Sequence, residues 1–399
     1  MVEHKSSAQN RTPDQAQVEM WFAEESSEND EKVFGDFSNL GEKYSLAQLS
    51  VVRSNLDISL YMLRENAKSQ GWLNLSPYYQ RRHRWDDRKR SRLIESILMN
   101  IPIPPLFLYE EDYNSYEVMD GRQRLDTIIS FLNDDFSLDD MEFWPEINGF
   151  SFSELPQLIQ SGLLRRTLSA VVLLTETSRF VSEESDIRLV LFRRLNTGGA
   201  ILNPQELRNA LYPSPFNGML KDAARSDVFT KVWGIPKKRP NEDDAPSGTL
   251  LKNPLYKTMA DAELVLRFFA IRETIAEGRK GGLKSLLDQT MRRHQKTPPS
   301  RVDDLKKDFI YTISNLEEIF GEKTFRLPNG RLSRPLYDAL MVGMSEVGAA
   351  ARSPQAIRQS VDEALGTAEL YEVLVGRGNT VDAIKQRVTL AKKLLTGHG

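Results

Sequence analysis

Cysteine is absent from the 399-residue sequence, and histidine occurs only four times. The absence of cysteine excludes disulfides, thiolate zinc sites, iron–sulfur clusters and cysteine nucleophiles. The histidines are scattered, which argues against a histidine-rich metal site or a histidine-dependent nuclease. The motifs GxxxxGK[ST], GxSxG and HExxH are also missing, so the sequence does not indicate a P-loop enzyme, an α/β-hydrolase or a zincin-type protease.

Neither sign of charge dominates, and no long apolar run occurs. The chain carries 53 basic and 56 acidic residues, so any nucleic-acid surface must be a local patch within a nearly neutral whole. No run of eighteen apolar residues is present, so we predict no membrane span. The polar stretch at residues 1–15 lacks the apolar region of a signal peptide, and we therefore expect a cytoplasmic protein.

The succession of patterns predicts an α+β fold class, with a mixed domain followed by an all-helical C-terminal domain. Residues 1–40 hold nine acids and three bases, typical of a flexible arm, although Trp21-Phe22 could dock on the body or on a partner. The predicted parts are an acidic arm (1–44), the mixed domain (45–232), a linker or mobile loop (233–256) and the helical domain (257–399).

Local patterns predict several elements of the mixed domain. They are an amphipathic helix (87–99), two short strands joined as a hairpin (106–109 and 116–119), a helix after Asp120-Gly121, a long acidic surface loop (134–154), a buried strand (170–174) and a helix capped by Asn203.

The segment Asp120-Gly121-Arg122-Gln123-Arg124, which we call the DGRQR loop, joins a predicted strand to a predicted helix. A helix N-terminus offers unpaired N–H groups and the positive end of the helix dipole, and Gly121 would let a ligand approach the backbone. The arginine forks match phosphate oxygens. Asp120 could cap the helix, hold a divalent metal or orient a water. Spacing alone favours the plainer interpretation of an N-cap with surface arginines.

A basic segment lies just ahead of this loop. Residues 77–92 hold seven bases and two acids, interleaved with Tyr78, Tyr79 and Trp85, a composition that suits contact with phosphates and bases. A solvated helix face with inward-facing aromatics explains the same pattern equally well. On the first interpretation the DNA-contacting candidates are Arg82, Arg84, Arg88 and Lys89.

Two further clusters have plainer structural explanations. Arg193 and Asn196, beside Gly198-Gly199, could reach a ligand, but the run is also typical of a helix C-terminus. Glu263 and Arg267 have the i, i+4 spacing of an ion pair on a helix, which we favour over a metal site.

Five motifs in order resemble one family. They are Tyr79-Gln80-Arg81 with Trp85, LIESIL (93–98), IPIP (101–104), DGRQRL (120–125), and RLNTGG (194–199) together with QELRNA (205–210). This order resembles the GmrSD-type N-terminal domain family over roughly residues 45–220. The resemblance implies a ParB/sulfiredoxin-like fold. Arg122 departs from the family's DGQQR motif, which has glutamine at that position.

The resemblance implies a nucleotide-binding and NTP-hydrolysing role in bacterial anti-phage defence or restriction, with Mg²⁺ as a candidate cofactor. By the same resemblance, Gln80, Arg81, Gly121 and Arg122 bind the nucleotide, and Asn196 approaches it from a later loop. The implied catalytic residues are Asp120, Gln123 and Arg124.

Many relatives also carry an HNH nuclease domain, whose chemistry needs histidines. The second half of this sequence has only His294 and His398, so we expect a stand-alone member without that nuclease. Two alternatives remain open. One is a DNA-binding sensor of modified DNA that acts with a separate effector protein and has no catalysis of its own. The other is a scaffold that docks a second protein, and a homo-oligomer is a further candidate assembly.

Overall fold

The computed structural model describes residues 12–26, 41, 53–69, 71–74, 85–174, 203–240, 242, 246–376 and 378–397. The chain divides into two compact units. The sheet unit comprises Asp30–Leu202, and the helical unit combines Met1–Asn29 with Asn203–Gly399. The division therefore falls at residue 202, ahead of the boundary we predicted at 232, and the predicted linker 233–256 lies inside the helical unit.

The sheet unit is a mixed α+β fold, which confirms the predicted class at that level. Helix α1 (Gln15–Ser26) precedes it in the chain and belongs to the helical unit. The elements of the sheet unit are β1 (Arg53–Ser59), α2 (Leu60–Ser69), β2 (Leu73–Asn74), α3 (Asp87–Leu98), β3 (Leu106–Asp112), β4 (Ser115–Asp120), α4 (Arg122–Leu132), α5 (Gln157–Leu164) and β5 (Thr167–Leu173).

The five described strands form one sheet in the order β1-β5-β3-β4-β2. β1 pairs antiparallel with β5, and β5 pairs parallel with β3. The predicted hairpin is confirmed, since β3 and β4 are antiparallel neighbours. Alternate strand residues point to one face and bury against the helices. The core includes Leu106, Leu108, Ala170 and Val172 from the strands and Ile94, Leu125, Ile128 and Phe131 from the helices.

Helix α3 begins and ends where its sequence dictates. The Asp86 carboxylate accepts a hydrogen bond from the Lys89 backbone N–H at 2.8 Å, which caps the N-terminus. Ile94 and Ile97 bury the apolar face. The helix ends before Ile101-Pro102, where proline removes a donor and disfavours helical backbone in the preceding residue.

The helical unit is built from helices throughout its described residues, apart from short turns and isolated bridges. After α1 they are α6 (Pro204–Leu211), α7 (Pro215–Ala223), α8 (Asp227–Trp233), α9 (Gly248–Leu251), α10 (Pro254–Lys257), α11 (Ala260–Glu277), α12 (Leu283–Arg293), α13 (Pro299–Phe320), α14 (Arg334–Val347), α15 (Pro354–Gly366), α16 (Ala368–Val375) and α17 (Val381–Thr396). The predicted cap of α6 is confirmed, because Asn203 and Glu206 form a reciprocal capping box. No helix in the described part of the chain is long and apolar enough to cross a membrane.

Residues 12–26 depart from the flexible arm that we predicted. Trp21 and Phe22 are buried in the helical unit, and the Trp21 ring meets Trp233 edge-on with centroids 6.2 Å apart. Arg334 donates to the Trp21 carbonyl at 3.3 Å. The apolar island thus docks on the protein itself, because burying two large aromatic side chains outweighs the acidic, disorder-prone composition around them.

Candidate functional site

The DGRQR loop connects strand β4 to helix α4, as the sequence predicts. Asp120 is the last residue of β4, and Gly121 follows with φ of +94°, a backbone conformation that favours glycine. A Cβ atom on Gly121 would lie 2.4 Å from Leu106 Cδ2. The absence of a Cβ on Gly121 therefore lets the backbone pack closely against the core residue Leu106.

Arg124 ties this loop to the proline-rich segment before β3. Its guanidinium donates to the Asp120 carboxylate at 3.1 Å and to the carbonyl oxygen of Pro104. Both of its terminal nitrogens lie 3.4 Å from the Pro105 carbonyl oxygen. Burial lowers the pKa of Arg124 below its ordinary value, while the neighbouring Asp120 opposes that shift. The side chain is largely enclosed and has a bridging role.

Asp120 does not cap helix α4, which corrects the simpler of our two interpretations. The N-cap position is Gly121, a residue without a side chain that could accept from the first turn. The first intrahelical bond runs from Leu125 N–H to the Gly121 carbonyl at 3.0 Å. The preceding N–H groups have no acceptor within the helix, so this terminus has the geometry and the dipole of an anion site.

The other two side chains of the loop differ in their settings. Arg122 donates to Asp126 at 2.7 Å, one turn further along α4. Gln123 is half-buried, and its carbonyl accepts from the Thr127 hydroxyl at 2.7 Å. Both arginines of the loop are thus paired with a carboxylate four residues away, so neither is committed to a ligand in this structure.

Only part of the basic segment lies in the described residues. Arg88 forms an ion pair with Asp140, and the Lys89 ammonium lies 4.5 Å from the centre of the Trp85 ring. Arg90 stacks over Phe136 at 3.7 Å. The basic side chains of α3 therefore contact neighbouring acidic and aromatic side chains. Arg88 and Lys89, two of the DNA-contacting candidates, are nevertheless exposed.

Five predicted site residues lie outside the described part of the chain. They are Gln80, Arg81, Arg82, Arg84 and Asn196. Their proposed nucleotide and DNA contacts remain predictions.

The acidic loop, residues 134–154, is anchored to α3 by two side chains that sequence reasoning missed. The Ser91 hydroxyl accepts from the Asp139 N–H at 2.9 Å. The buried Glu95 carboxylate accepts from the backbone N–H groups of residues 142, 143 and 144 at 3.3, 2.7 and 3.1 Å. No local signal reveals these partners, because they lie more than forty residues from α3.

Charged side chains in the helical unit join helices to one another. Arg267 donates to Asp338 at 3.0 Å, and Glu263 accepts from Arg334 at 3.3 Å, so both members of the predicted Glu263–Arg267 pair bind residues of α14. Arg208 donates to Asp288 at 2.7 Å. These groups are paired and, apart from the partly buried Asp288, buried, as expected of structural ion pairs.

His294 has a packed setting at the end of α12. Its ring stacks on Phe216 with centroids 4.3 Å apart, and Nε2 lies 2.6 Å from Glu273 Oε1. Within the described residues, no group of three or more histidines and carboxylates could hold a metal ion.

Comparison with known proteins assigns part of the chain to a family. Residues 60–213 match the family model for the GmrSD restriction endonuclease, N-terminal domain. The matched range contains the DGRQR loop, α3, the acidic loop and α6, and it runs past the division between the two units at residue 202. Neither a curated protein nor a solved structure matches the chain significantly.

Proposed function

Since residues 60–213 of this chain belong to the GmrSD N-terminal domain family, we propose that the protein acts in a bacterial restriction or anti-phage system by binding a nucleoside triphosphate at the DGRQR loop and hydrolysing it. The observation that carries this proposal is the N-terminus of α4, whose N-cap is Gly121 in a left-handed conformation and which directly follows Asp120. The ParB/sulfiredoxin-like fold implied by the resemblance is part of the proposal.

The phosphates would lie against the first turn of α4. The backbone N–H groups at a helix N-terminus and the positive end of the dipole attract phosphate oxygens without a charged side chain. The Gly121 backbone would be closest to them, since Gly121 is the N-cap residue and opens the turn. Arg122 would contribute by leaving Asp126, its partner at 2.7 Å, for a phosphate.

Asp120 is the candidate for metal and water chemistry. Mg²⁺ usually binds through one or two carboxylates together with substrate phosphates, which suits a single carboxylate at this position. The metal would neutralise charge developing on the phosphates. Gln123 would orient the attacking water, and Arg124 would position Asp120 through their 3.1 Å hydrogen bond.

Turnover measurements test this proposal. Each of the four common nucleoside triphosphates is incubated with the full chain and Mg²⁺, and phosphate release is followed. We expect Asp120→Asn to lower turnover by about 100-fold or more. Asp135→Asn, just beyond the opposite end of α4, is the matched control and should retain the wild-type rate. Absence of both turnover and binding for every nucleotide would refute the proposal.

DNA binding without catalysis is the second candidate function, and it would require a separate effector protein. The observation that favours it is the exposed position of Arg88 and Lys89 on α3. Binding through such contacts weakens steeply as salt rises. Affinity that does not change with salt would exclude this function.

A further inference from the structure

Four residues of α3 form one stripe that faces the acidic loop. Arg88, Ser91, Arg92 and Glu95 are spaced i, i+3, i+4 and i+7, so they share one face of the helix. Each residue of the stripe contacts the loop. Arg88 pairs with Asp140, Ser91 accepts from the Asp139 N–H, Arg92 lies 3.8 Å from Glu142, and Glu95 accepts from three backbone N–H groups.

Two of these contacts anchor the loop, and two do not. The anchors are the backbone hydrogen bonds to Ser91 and Glu95, together with the buried side chains of Leu138 and Met141. The ion pairs are exposed, with side-chain exposures of 63% and 52% for Arg88 and Asp140 and of 49% and 60% for Arg92 and Glu142. Pairs this exposed contribute little to stability.

The fold therefore does not depend on the two ion pairs, yet it holds their carboxylates against a basic helix. Residues 134–154 contain seven acids and no base, whereas residues 77–92 contain seven bases and two acids. A carboxylate and a phosphate accept the same hydrogen bonds from a guanidinium. The loop thus occupies the positions that a polyanion would take on Arg88 and Arg92.

We propose that the acidic loop is a built-in phosphate mimic, which masks Arg88 and Arg92 until the sugar-phosphate backbone of DNA displaces Asp140 and Glu142. This inference rests on the second candidate function, DNA binding. With the mask in place the two arginines add little to DNA affinity, because their charges are already neutralised. Removal of the two carboxylates should free both.

The test compares two variants that change net charge equally. Asp140→Asn with Glu142→Gln removes the mask. Asp135→Asn with Glu146→Gln removes two exposed acids of the same loop that lie beside no base in the structure described here. Affinity for a short DNA duplex is measured by fluorescence anisotropy over a range of salt concentrations, with the full chain.

We expect the first variant to bind DNA about tenfold or more tightly at low salt. Its plot of log affinity against log salt should steepen by about 2, since each freed arginine that contacts a phosphate adds about 0.9 to the slope. The control should change affinity less than threefold. Adding Arg88→Gln and Arg92→Gln to the first variant should abolish the gain, which ties the effect to these two side chains.

Three outcomes would contradict the proposal that the acidic loop masks Arg88 and Arg92. An equal gain in both variants would show a general charge effect, and salt-dependent binding that neither variant changes would leave DNA binding intact without a mask. If no variant binds DNA at all, the second candidate function and the mask fail together. Phosphate release from nucleoside triphosphates, measured on the same samples, keeps these outcomes separate from the fate of the proposed hydrolase.

Discussion

At the residue scale, the DGRQR loop is held in place by Gly121 and Arg124. Gly121 permits a left-handed backbone and contact with Leu106, and Arg124 joins Asp120 to the carbonyl groups of Pro104 and Pro105. The proline-rich segment 101–105 thus has two roles. It follows the end of α3, and its carbonyl groups accept hydrogen bonds from Arg124. The loop's geometry depends on these contacts whether or not a ligand is present.

Substitution of Gly121 by alanine should destabilise the sheet unit. The new Cβ would be strained by the positive φ and would overlap Leu106 Cδ2. Gly149→Ala is the matched control, since Gly149 has φ of +84° but no described atom lies within 4 Å of the place its new Cβ would take. We expect Gly121→Ala to cost about 1–3 kcal/mol more than the control, the usual effect of overpacking. Urea unfolding would measure the difference, and equal losses would contradict this account.

Substitution of Arg124 by lysine should also be costly. A lysine ammonium lacks the planar fork that serves Asp120 and the proline carbonyls together. We expect a loss of about 1–3 kcal/mol in the free energy of unfolding, because the guanidinium hydrogen bonds to the Asp120 carboxylate and to the proline carbonyl oxygens are lost together. The comparison is Arg122→Lys, whose i, i+4 pair with Asp126 a lysine can also form. Similar stability of the two variants would argue against the bridging role.

At the element scale, local patterns predicted the elements well and their partners poorly. The sequence predicted helix α3, the β3–β4 hairpin and the capping box at Asn203. These features depend on residues that are close together in the chain. The role of Glu95 was not predictable, since its acceptor function depends on N–H groups 47 to 49 residues away. The interpretation of Asp120 as the N-cap of α4 was wrong for a similar reason. Asp120 is the last residue of β4, and its carboxylate is oriented by the hydrogen bond from Arg124.

Glu95 should control the order of the acidic loop. Glu95→Gln replaces one carboxylate oxygen by an NH₂ group that faces backbone N–H donors, so the free energy of unfolding should fall by about 1–3 kcal/mol. Hydrogen exchange of the amides at 142–144 should accelerate more than that of α4. Glu142→Gln, an exposed neighbour, is the control. Unchanged exchange in the Glu95 variant would contradict the anchoring role.

The ion pairs of Glu277 with Arg293 and Arg279, at the ends of helices α11 and α12, should lose their contribution to stability in acid. Hydrogen bonds from Arg293 and then Arg279 lower the pKa of Glu277 to about 2, from an ordinary value of 4.5. A lowered folded-state pKa contributes stability above pH 4.5 and loses it as the pH falls towards 2. The wild-type melting temperature should therefore fall more steeply over this range than that of Glu277→Gln. Parallel curves would exclude the contribution, and Glu318→Gln serves as the exposed control.

At the scale of the whole molecule, the sequence predicted two domains, but it assigned the segments before residue 30 and after residue 202 differently from the structure. Composition marked residues 1–44 as an arm, yet α1 packs in the helical unit through Val18, Trp21 and Phe22. The segment 203–232 also belongs to that unit, although the family match continues into it as far as residue 213. Such assignments depend on contacts between residues more than 200 positions apart, which composition and periodicity do not record.

Truncation of Trp21 should loosen the helical unit selectively. Trp21 is 5% exposed and contacts Trp233, so Trp21→Ala should cost about 3–5 kcal/mol. Hydrogen exchange should rise across residues 203–397 and stay unchanged across 53–174. Met20→Ala, at a position 41% exposed on the same helix, should have little effect. Equal loosening of both units would contradict the assignment of α1.

The most direct test of the proposed function is a crystal structure of the full chain with a non-hydrolysable nucleoside triphosphate and Mg²⁺. The account predicts phosphate oxygens within hydrogen-bonding distance of the Arg122 and Gln123 backbone N–H groups, with the metal beside Asp120. A nucleotide whose phosphates bind elsewhere, with the first turn of α4 left free, would contradict it.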